Sequence, residues 1–280
     1  MALSAATIPT IVSSGILESL KENLVYGRLL NDDYLGDVIP GNAVKIPSIG
    51  SVTVSPYTVY TDMDDEEAED SSQSLTIDQQ QYFSIVLDDI DAAMSKPAIL
   101  AAYAREAAHQ IQKKIDGYLA GILSAGTLTT GLGDGTTPIE VNSANIGSQL
   151  SAMAVLLDNA LVPRSGRYVV LPPWAVEKLV LANIADSTNN VGELAEGFVA
   201  RHAGFNVLMS PLVPNTAGAK YKIIAGSNIS ATKAIGINKT EIIRHPTQFA
   251  DKLRGLAVYG AKLTRAATVC VGTWNIAAEA

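Results

Sequence analysis

The amino-acid sequence predicts an α+β fold with extensions, organised on one long helix. Three observations lead there. Apolar residues recur at steps of three and four through a single stretch of about 28 positions. Short strand-like runs, separated by turn residues, crowd the last third of the chain. A composition of 48% hydrophobic and 17% charged residues over 280 positions is that of a chain with a sizeable core.

The first forty residues open with a short helix candidate, in which Ile16, Leu17, Leu20 and Leu24 follow the possible caps Ser13 and Ser14. Gly27, Asn31 to Asp33 and Gly36 then break the pattern into a polar arm. Its apolar content is too low to hold itself, so it is expected to lie on another element.

Two runs with partial alternation follow, Val44 to Val54 and Tyr82 to Ile90. They bracket a polar tip of about 25 residues, the outline of a long two-stranded excursion. A lone strand pair is marginal in water, so its stability is expected from a partner such as a second copy.

Ser95 caps the long helix, with Pro97 in its first turn. Leu100, Tyr103, Ala107, Ile111, Ile115, Tyr118 and Ile122 form the apolar stripe to about Ala125, a length of about 42 Å at 1.5 Å per residue. Gly126 to Pro138 ends it as a Gly and Thr-rich loop. A second helix is expected over Asn145 to Asn159, a strand over Arg167 to Leu171, and a third helix over Trp174 to Asn183, opened by Pro172 and Pro173. After the Gly-interrupted stretch Gly192 to Gly204, strands are expected over Phe205 to Met209, Tyr221 to Ala225, Thr240 to Arg244, Leu256 to Leu263 and Thr268 to Val271. No internal repeat or linker divides the chain.

Charge is unevenly placed. The formal net charge is -8, which argues against general DNA binding, since phosphate affinity comes mainly from Lys and Arg. No Lys or Arg occurs between Ile46 and Ser95, where eleven acids fall, seven of them in the cluster Asp62, Asp64, Asp65, Glu66, Glu67, Glu69 and Asp70. From Lys220 to Arg265, nine basic residues face only Glu241 and Asp251, a net of +7.

No catalytic constellation is present: no HExxH, no Gly-x-Ser-x-Gly and no Walker motif. Gly131-x-Gly133-x-Gly135 has glycines of a phosphate loop but follows a helix instead of a strand. His109, His202 and His245 are scattered without a second ligand at metal spacing, and a helix-surface position is expected for His109. Cys270 lies in the apolar run Thr268 to Val271, so a buried inert thiol is expected and a reducing compartment fits. The N-terminus lacks a basic signal region, and no run reaches the roughly 18 apolar residues of a membrane span. No enzyme activity, cofactor or metal is expected.

The acidic cluster has Glu67 where an EF-hand loop requires Gly, so it fails as that motif. Loose divalent-cation binding and a merely solvated tip remain alternatives. The leading expectation is an intersubunit contact with a basic counterpart drawn from Lys239, Arg244, Lys252, Arg254, Lys262 and Arg265.

Several segments, in their order along the chain, resemble the tailed-bacteriophage major capsid family with the Hong Kong 97-type fold. They are Tyr26-Gly27, Asn31 to Tyr34, Gly36-Asp37, Gly41 to Gly50, Tyr82 to Asp91, Val162 to Val170 and Gly255 to Lys262. The resemblance implies an N-terminal arm over 1–43 and an extended β loop over 44–91. A peripheral domain with a spine helix would cover 92–144, rejoined by 241–280, and an axial domain 145–240. It also implies self-assembly into the pentamers and hexamers of an icosahedral shell enclosing double-stranded DNA without sequence-specific binding. Scaffolding and portal proteins, and cement proteins, would be the further partners. The virion would be the location, after assembly in the host cytoplasm. The sequence begins almost at the arm, so a scaffold is expected as a separate or removed piece. The Lys and Asn pair that some relatives crosslink is not identifiable. An encapsulin-type cellular compartment, which shares the fold, is the alternative.

Overall fold

The computed structural model of the protein describes residues 25–31, 43–49, 54, 56, 59–60, 70–89, 99–184, 198–235 and 239–279. The N-terminal helix candidate at Ile16 to Leu24 and the caps Ser95 and Pro97 lie outside them. The elements are α1 (Tyr26–Leu29), β1 (Ala43–Ile49), β2 (Asp70–Thr76), β3 (Gln79–Asp88), α2 (Ile99–Leu123), β4 (Ile139–Val141), α3 (Ile146–Asn159), β5 (Arg167–Leu171), α4 (Pro173–Leu181), β6 (Phe198–His202), β7 (Phe205–Met209), β8 (Asn215–Thr216), β9 (Lys220–Ser227), β10 (Ala231–Ile235), β11 (Lys239–Arg244), β12 (Ala250–Leu263) and β13 (Cys270–Ile276).

Helix α2 follows the expected stripe. Ala107, Ile115, Leu119, Ala120 and Leu123 are buried, and Ile111, Tyr118 and Ile122 pack beside them half-covered. Each Leu so buried stabilises by about 1.5–3 kcal/mol relative to exposure. His109 is buried on this helix at 9% exposure, against the surface position expected for it. Tyr118 meets Tyr259 of β12 edge-on, with ring centroids 5.4 Å apart, fixing the helix to the sheet beneath it.

The strands form two larger sheets and one pair. A seven-stranded sheet runs β4-β13-β9-β5-β7-β6, with β8 beside β9. Helices α3 and α4 cover part of it through Ile146, Leu150, Met153, Leu157, Ala175 and Leu179, all buried. Arg167 opens β5 with a side chain 1% exposed. It donates to the carbonyls of Val162 and Pro163 and pairs with Asp158 at 2.8 Å. A guanidinium fits this burial because its donors are shared among three acceptors. Cys270 is buried as expected, and desolvation pushes its thiol up to about 12.

In the second sheet, β12 is the central strand. Its Ala250 to Tyr259 stretch pairs with β3 on one edge, while β11 and then β10 line the other. The sequence places this strand at Leu256 to Leu263 only. Its first half carries Asp251, Lys252 and Arg254, which mask the alternation.

The strand-pair expectation needs two corrections. The Val44 run pairs with Asp70 to Thr76, the far side of the polar tip, and not with Tyr82 to Ile90. The Tyr82 run instead pairs with β12 of its own chain. Ser71, Ser72 and Ser74 make β2 too polar to announce itself as a strand, although Leu75 is fully buried. The pair is stabilised within the subunit: Val44, Ile46, Leu75 and Ile77 cluster with Ala234 and Val258. Gly260 permits this approach, since a Cβ there would stand 2.3 Å from the Thr76 carbonyl oxygen.

Residues 25–31, the part of the expected arm that is described apart from Ala43, are likewise seated on other elements. Gly27 lies inside the one-turn helix α1 instead of breaking one. Val25, Tyr26 and Leu30 are buried. Asp116 of α2 accepts the backbone N–H groups of Val25, Tyr26 and Gly27 at 2.9, 3.2 and 2.7 Å. Lys233 donates to the Gly27 carbonyl, and Asn31 bridges to Thr232 of β10.

Candidate assembly surface

The sheet of β3, β12 and β11 presents two unlike faces. Residues directly opposite across a ladder share a face. Leu87, Leu253, Ala257 and Tyr259 point to the covered side, where α2 packs, and are 8% exposed or less. The opposite side carries Tyr82 opposite Leu256, Ser84 opposite Arg254, and Val86 opposite Lys252. On the β11 edge of that side, Glu241 faces Arg254 and Ile243 faces Lys252. Tyr82 is 80% exposed, with Val86, Ile243 and Leu256 between 36% and 46%. An open groove of about 350 Å³ runs between Tyr82, Lys252, Arg254 and Leu256. Phe249, at the β11–β12 turn, is also exposed.

Of the acidic cluster, Asp62, Asp64, Asp65, Glu66, Glu67 and Glu69 lie outside the described residues, and Asp70 begins β2 opposite Ile49. The described neighbours within the loop, Val54, Val59 and Tyr60, are exposed.

The structure separates the six basic residues into distinct situations. Arg244 is bidentate to Asp89 and bonds Asp251 at 3.2 Å. The guanidinium's hydrogen bonds hold the Asp89 carboxyl below its usual range. Arg244 therefore ties the start of β12 to the end of β3. Arg254 pairs with Glu241 at 2.7 Å across β11 and β12. Lys239 begins β11 at the level of Leu256, and Lys252 is half-exposed beside Val86. Lys262 lies near the far end of β12 and Arg265 just past it, both exposed. The net +7 of this region is thus partly offset by Asp89, an acid just past the end of β3. Sequence reasoning found the charges here but missed the apolar residues between them. The signal was available in the alternation Tyr82, Ser84, Val86 on β3.

Among the described residues, the other motifs form no reacting constellation. Asp134 accepts the N–H groups of Thr136 and Thr137 at 2.7 Å each, so the Gly131 to Gly135 loop closes on its own carboxylate. Among the described residues no three His, Cys, Asp or Glu side chains gather as metal ligands. No described helix is long and apolar enough to cross a membrane.

The phage capsid protein family model matches residues 70–271. No curated protein sequence matches the chain. Among solved structures, the chain is similar to one of Mycobacterium phage Che8 at 24% identity, with 93% of this chain and 94% of that one covered and a TM-score of 0.74. It is similar to the capsid of the cyanophage P-SCSP1u at 15% identity, covering 95% and 92%, with a TM-score of 0.75. A chain of Gordonia phage Cozz matches at 15% identity, over 98% and 94%, with a TM-score of 0.67.

Proposed function

Because this chain belongs to the phage capsid protein family, we propose that it is the major capsid protein of a tailed phage, a subunit whose work is to bind copies of itself into a closed shell. The observation that carries this is the family match over residues 70–271 together with a fold shared nearly end to end with the cyanophage capsid chain. An exposed apolar and charged sheet face with no reacting constellation suits a protein whose ligand is another protein surface.

The subunits form pentamers and hexamers of an icosahedral shell around double-stranded DNA. The net negative charge keeps the packaged polymer from adhering to the wall. Residues 1–43 act as arm, 44–91 as extended loop, 92–144 with 241–280 as peripheral domain, and 145–240 as axial domain. Residues 270–276 also lend a strand to the sheet built largely from the axial stretch. Scaffolding and portal proteins, with or without cement proteins, join the assembly in the host cytoplasm, and the mature location is the virion. The chain itself is not an enzyme. The acidic run Asp62 to Asp70 of one subunit meets basic residues between Lys239 and Arg265 of its neighbour.

Negative-stain microscopy of the purified full chain tests the reading. Closed shells of uniform diameter are expected. A chain that remains monomeric at every salt and protein concentration, alone and with its scaffold, would overturn it. DNA-filled particles joined to a tail separate a virion from an encapsulin-type compartment, which would hold cargo enzyme and no genome.

A further inference from the structure

We propose that the Gly131 to Gly135 loop, with Lys222 beneath it, forms an oxyanion site that takes a phosphate group. The site lies apart from the candidate assembly surface and does not draw on the shell-subunit reading.

The loop crosses one face of the seven-stranded sheet. Lys220 and Lys222 are two residues apart on β9 and share that face, and Thr273 of β13 stands directly opposite Lys222. Lys220 donates to the Gly135 carbonyl, and the Thr273 N–H donates to the Leu132 carbonyl at 3.0 Å, which holds the loop over these strands. A cleft of about 530 Å³ remains between loop and sheet, walled by the three glycines with Thr129, Lys222 and Thr273.

The cleft gathers donors that the fold leaves unspent. Lys222 is half-buried, yet among the described residues its ammonium has no acceptor. The hydroxyls of Thr129 and Thr273 likewise bond to no described residue, although Thr273 is only 7% exposed. Polar groups turned into a cleft without a protein partner are met by solvent or by a ligand. An ammonium, two hydroxyls and open N–H groups together call for a ligand rich in acceptors and negative in charge.

The backbone of the loop is shaped for such a ligand. Gly131 and Gly133 hold φ at +75° and +76°, and Leu132 between them has negative φ. This alternation turns successive N–H groups toward one point, a nest of the kind that receives phosphate. The N–H groups of Gly131, Gly133 and Gly135 donate to no described residue. A Cβ at Gly133 would stand 2.7 Å from the Thr273 carbonyl oxygen, whereas one at Gly131 would meet nothing within 4 Å. The loop is thus pressed to the sheet at one glycine and open at the other.

Two opposing charges are muted. Helix α2 ends beside the cleft at Ser124, but the carbonyls of residues 120–123 are all taken by Ser124, Ala125 and Gly126. Asp134 is turned onto the N–H groups of Thr136 and Thr137 and the Thr137 hydroxyl, and Lys220 offsets its charge. The loop leads into β4 and not into a helix, so it lacks the helix start that cradles the phosphate chain of a nucleotide. One phosphate group is the ligand that fits.

Isothermal titration of inorganic phosphate into full-length subunits tests the site, with chloride at matched ionic strength and dimethyl phosphate as further titrants. Phosphate should bind and chloride should not. Lys222→Gln should weaken binding about tenfold or more, as the loss of a charge-assisted hydrogen bond does, while Lys262→Gln stays at wild type. Asp134→Asn should tighten binding, a gain that a misfolded variant cannot mimic. Amide exchange at 129–135 should slow when phosphate is added. Equal binding of dimethyl phosphate would support the site with a nucleic-acid backbone as the source of the group, and a preference for inorganic phosphate would support it with the free ion. No phosphate binding by the wild-type chain would overturn the site. Binding that Lys222→Gln leaves unchanged, an adventitious ion only, would do the same, and in either case the capsid reading would stand.

Discussion

The Asp116 carboxylate on the long helix accepts the Gly27 backbone N–H at 2.7 Å, across 89 residues of sequence. With the N–H groups of Val25 and Tyr26 it caps the one-turn helix α1 from outside, satisfying donors that a helix start otherwise leaves orphaned. Asp116→Ala should cost about 2–4 kcal/mol, because two buried donors and one part-buried donor lose their acceptor. Burial raises the Asp116 carboxyl above its ordinary value, opposed by those same N–H bonds. Asp116→Asn keeps one acceptor and removes the charge, so it should lose less. Urea denaturation measures the stability, and hydrogen exchange at 25–31 shows whether the arm root alone has loosened.

Arg167 and Arg164 share Asp158, but only Arg167 is buried. Arg167→Met should cost about 2–4 kcal/mol, since the buried bond to the Val162 carbonyl and the part-buried bond to the Pro163 carbonyl lose their donor. Arg164→Ala should cost under about 1 kcal/mol, as exposed ion pairs do. Equal losses in thermal denaturation would mean that Arg167 contributes through its charge alone.

Gly260→Ala should be among the most damaging small substitutions in the chain. The added methyl meets the Thr76 carbonyl oxygen and the Ile77 Cα at 2.3 and 2.9 Å, both backbone atoms. Either β12 or the loop root must move, at a cost of roughly 2 kcal/mol or more. Proteolysis of the β1–β2 pair should accelerate in the variant. An unchanged cleavage rate would show that the root absorbs the methyl elsewhere.

Lys178 of α4 and Ser143 hold the carboxyl of Glu279, pulling it down to about 2 from the usual 4.5. A carboxyl depressed in the folded state contributes stability above its unfolded value, and that contribution disappears as pH falls through the folded one. Glu279→Gln should therefore lower the melting temperature at neutral pH, and the gap should close between pH 4.5 and about 2. Melting curves across that range decide it. A gap that persists at the acidic end would place the effect in packing.

The helices were the most legible part of the chain, because a stripe such as Ile111, Ile115, Tyr118 and Ile122 leaves few alternatives. Strands Arg167 to Leu171 and Phe205 to Met209 were equally clear, as short apolar runs between turn residues. Pairing was not legible. Nothing local in Tyr82 to Leu87 says that its partner is Ala250 to Tyr259 and not the nearer Val44 run. Strand β2 was hidden by its serines, and β10 (Ala231–Ile235) by Thr232 and Lys233. The same limit applied to the assembly surface. Charges are visible one by one, but which of them share a face depends on register, and register is a long-range property.

The central position of β12 fixes when its own sheet can close. Strand β3 emerges from the ribosome about 160 residues ahead of the strand that completes it, a wait of roughly 10–30 s at ordinary synthesis rates. An unpartnered strand is a template for the wrong neighbour, above all on a polysome where many copies wait together. Between Ile46 and Ser95 every charged side chain is negative. Nascent copies of this segment repel one another until their own C-terminal strand arrives, so the chain defers contact between molecules until each has finished with itself.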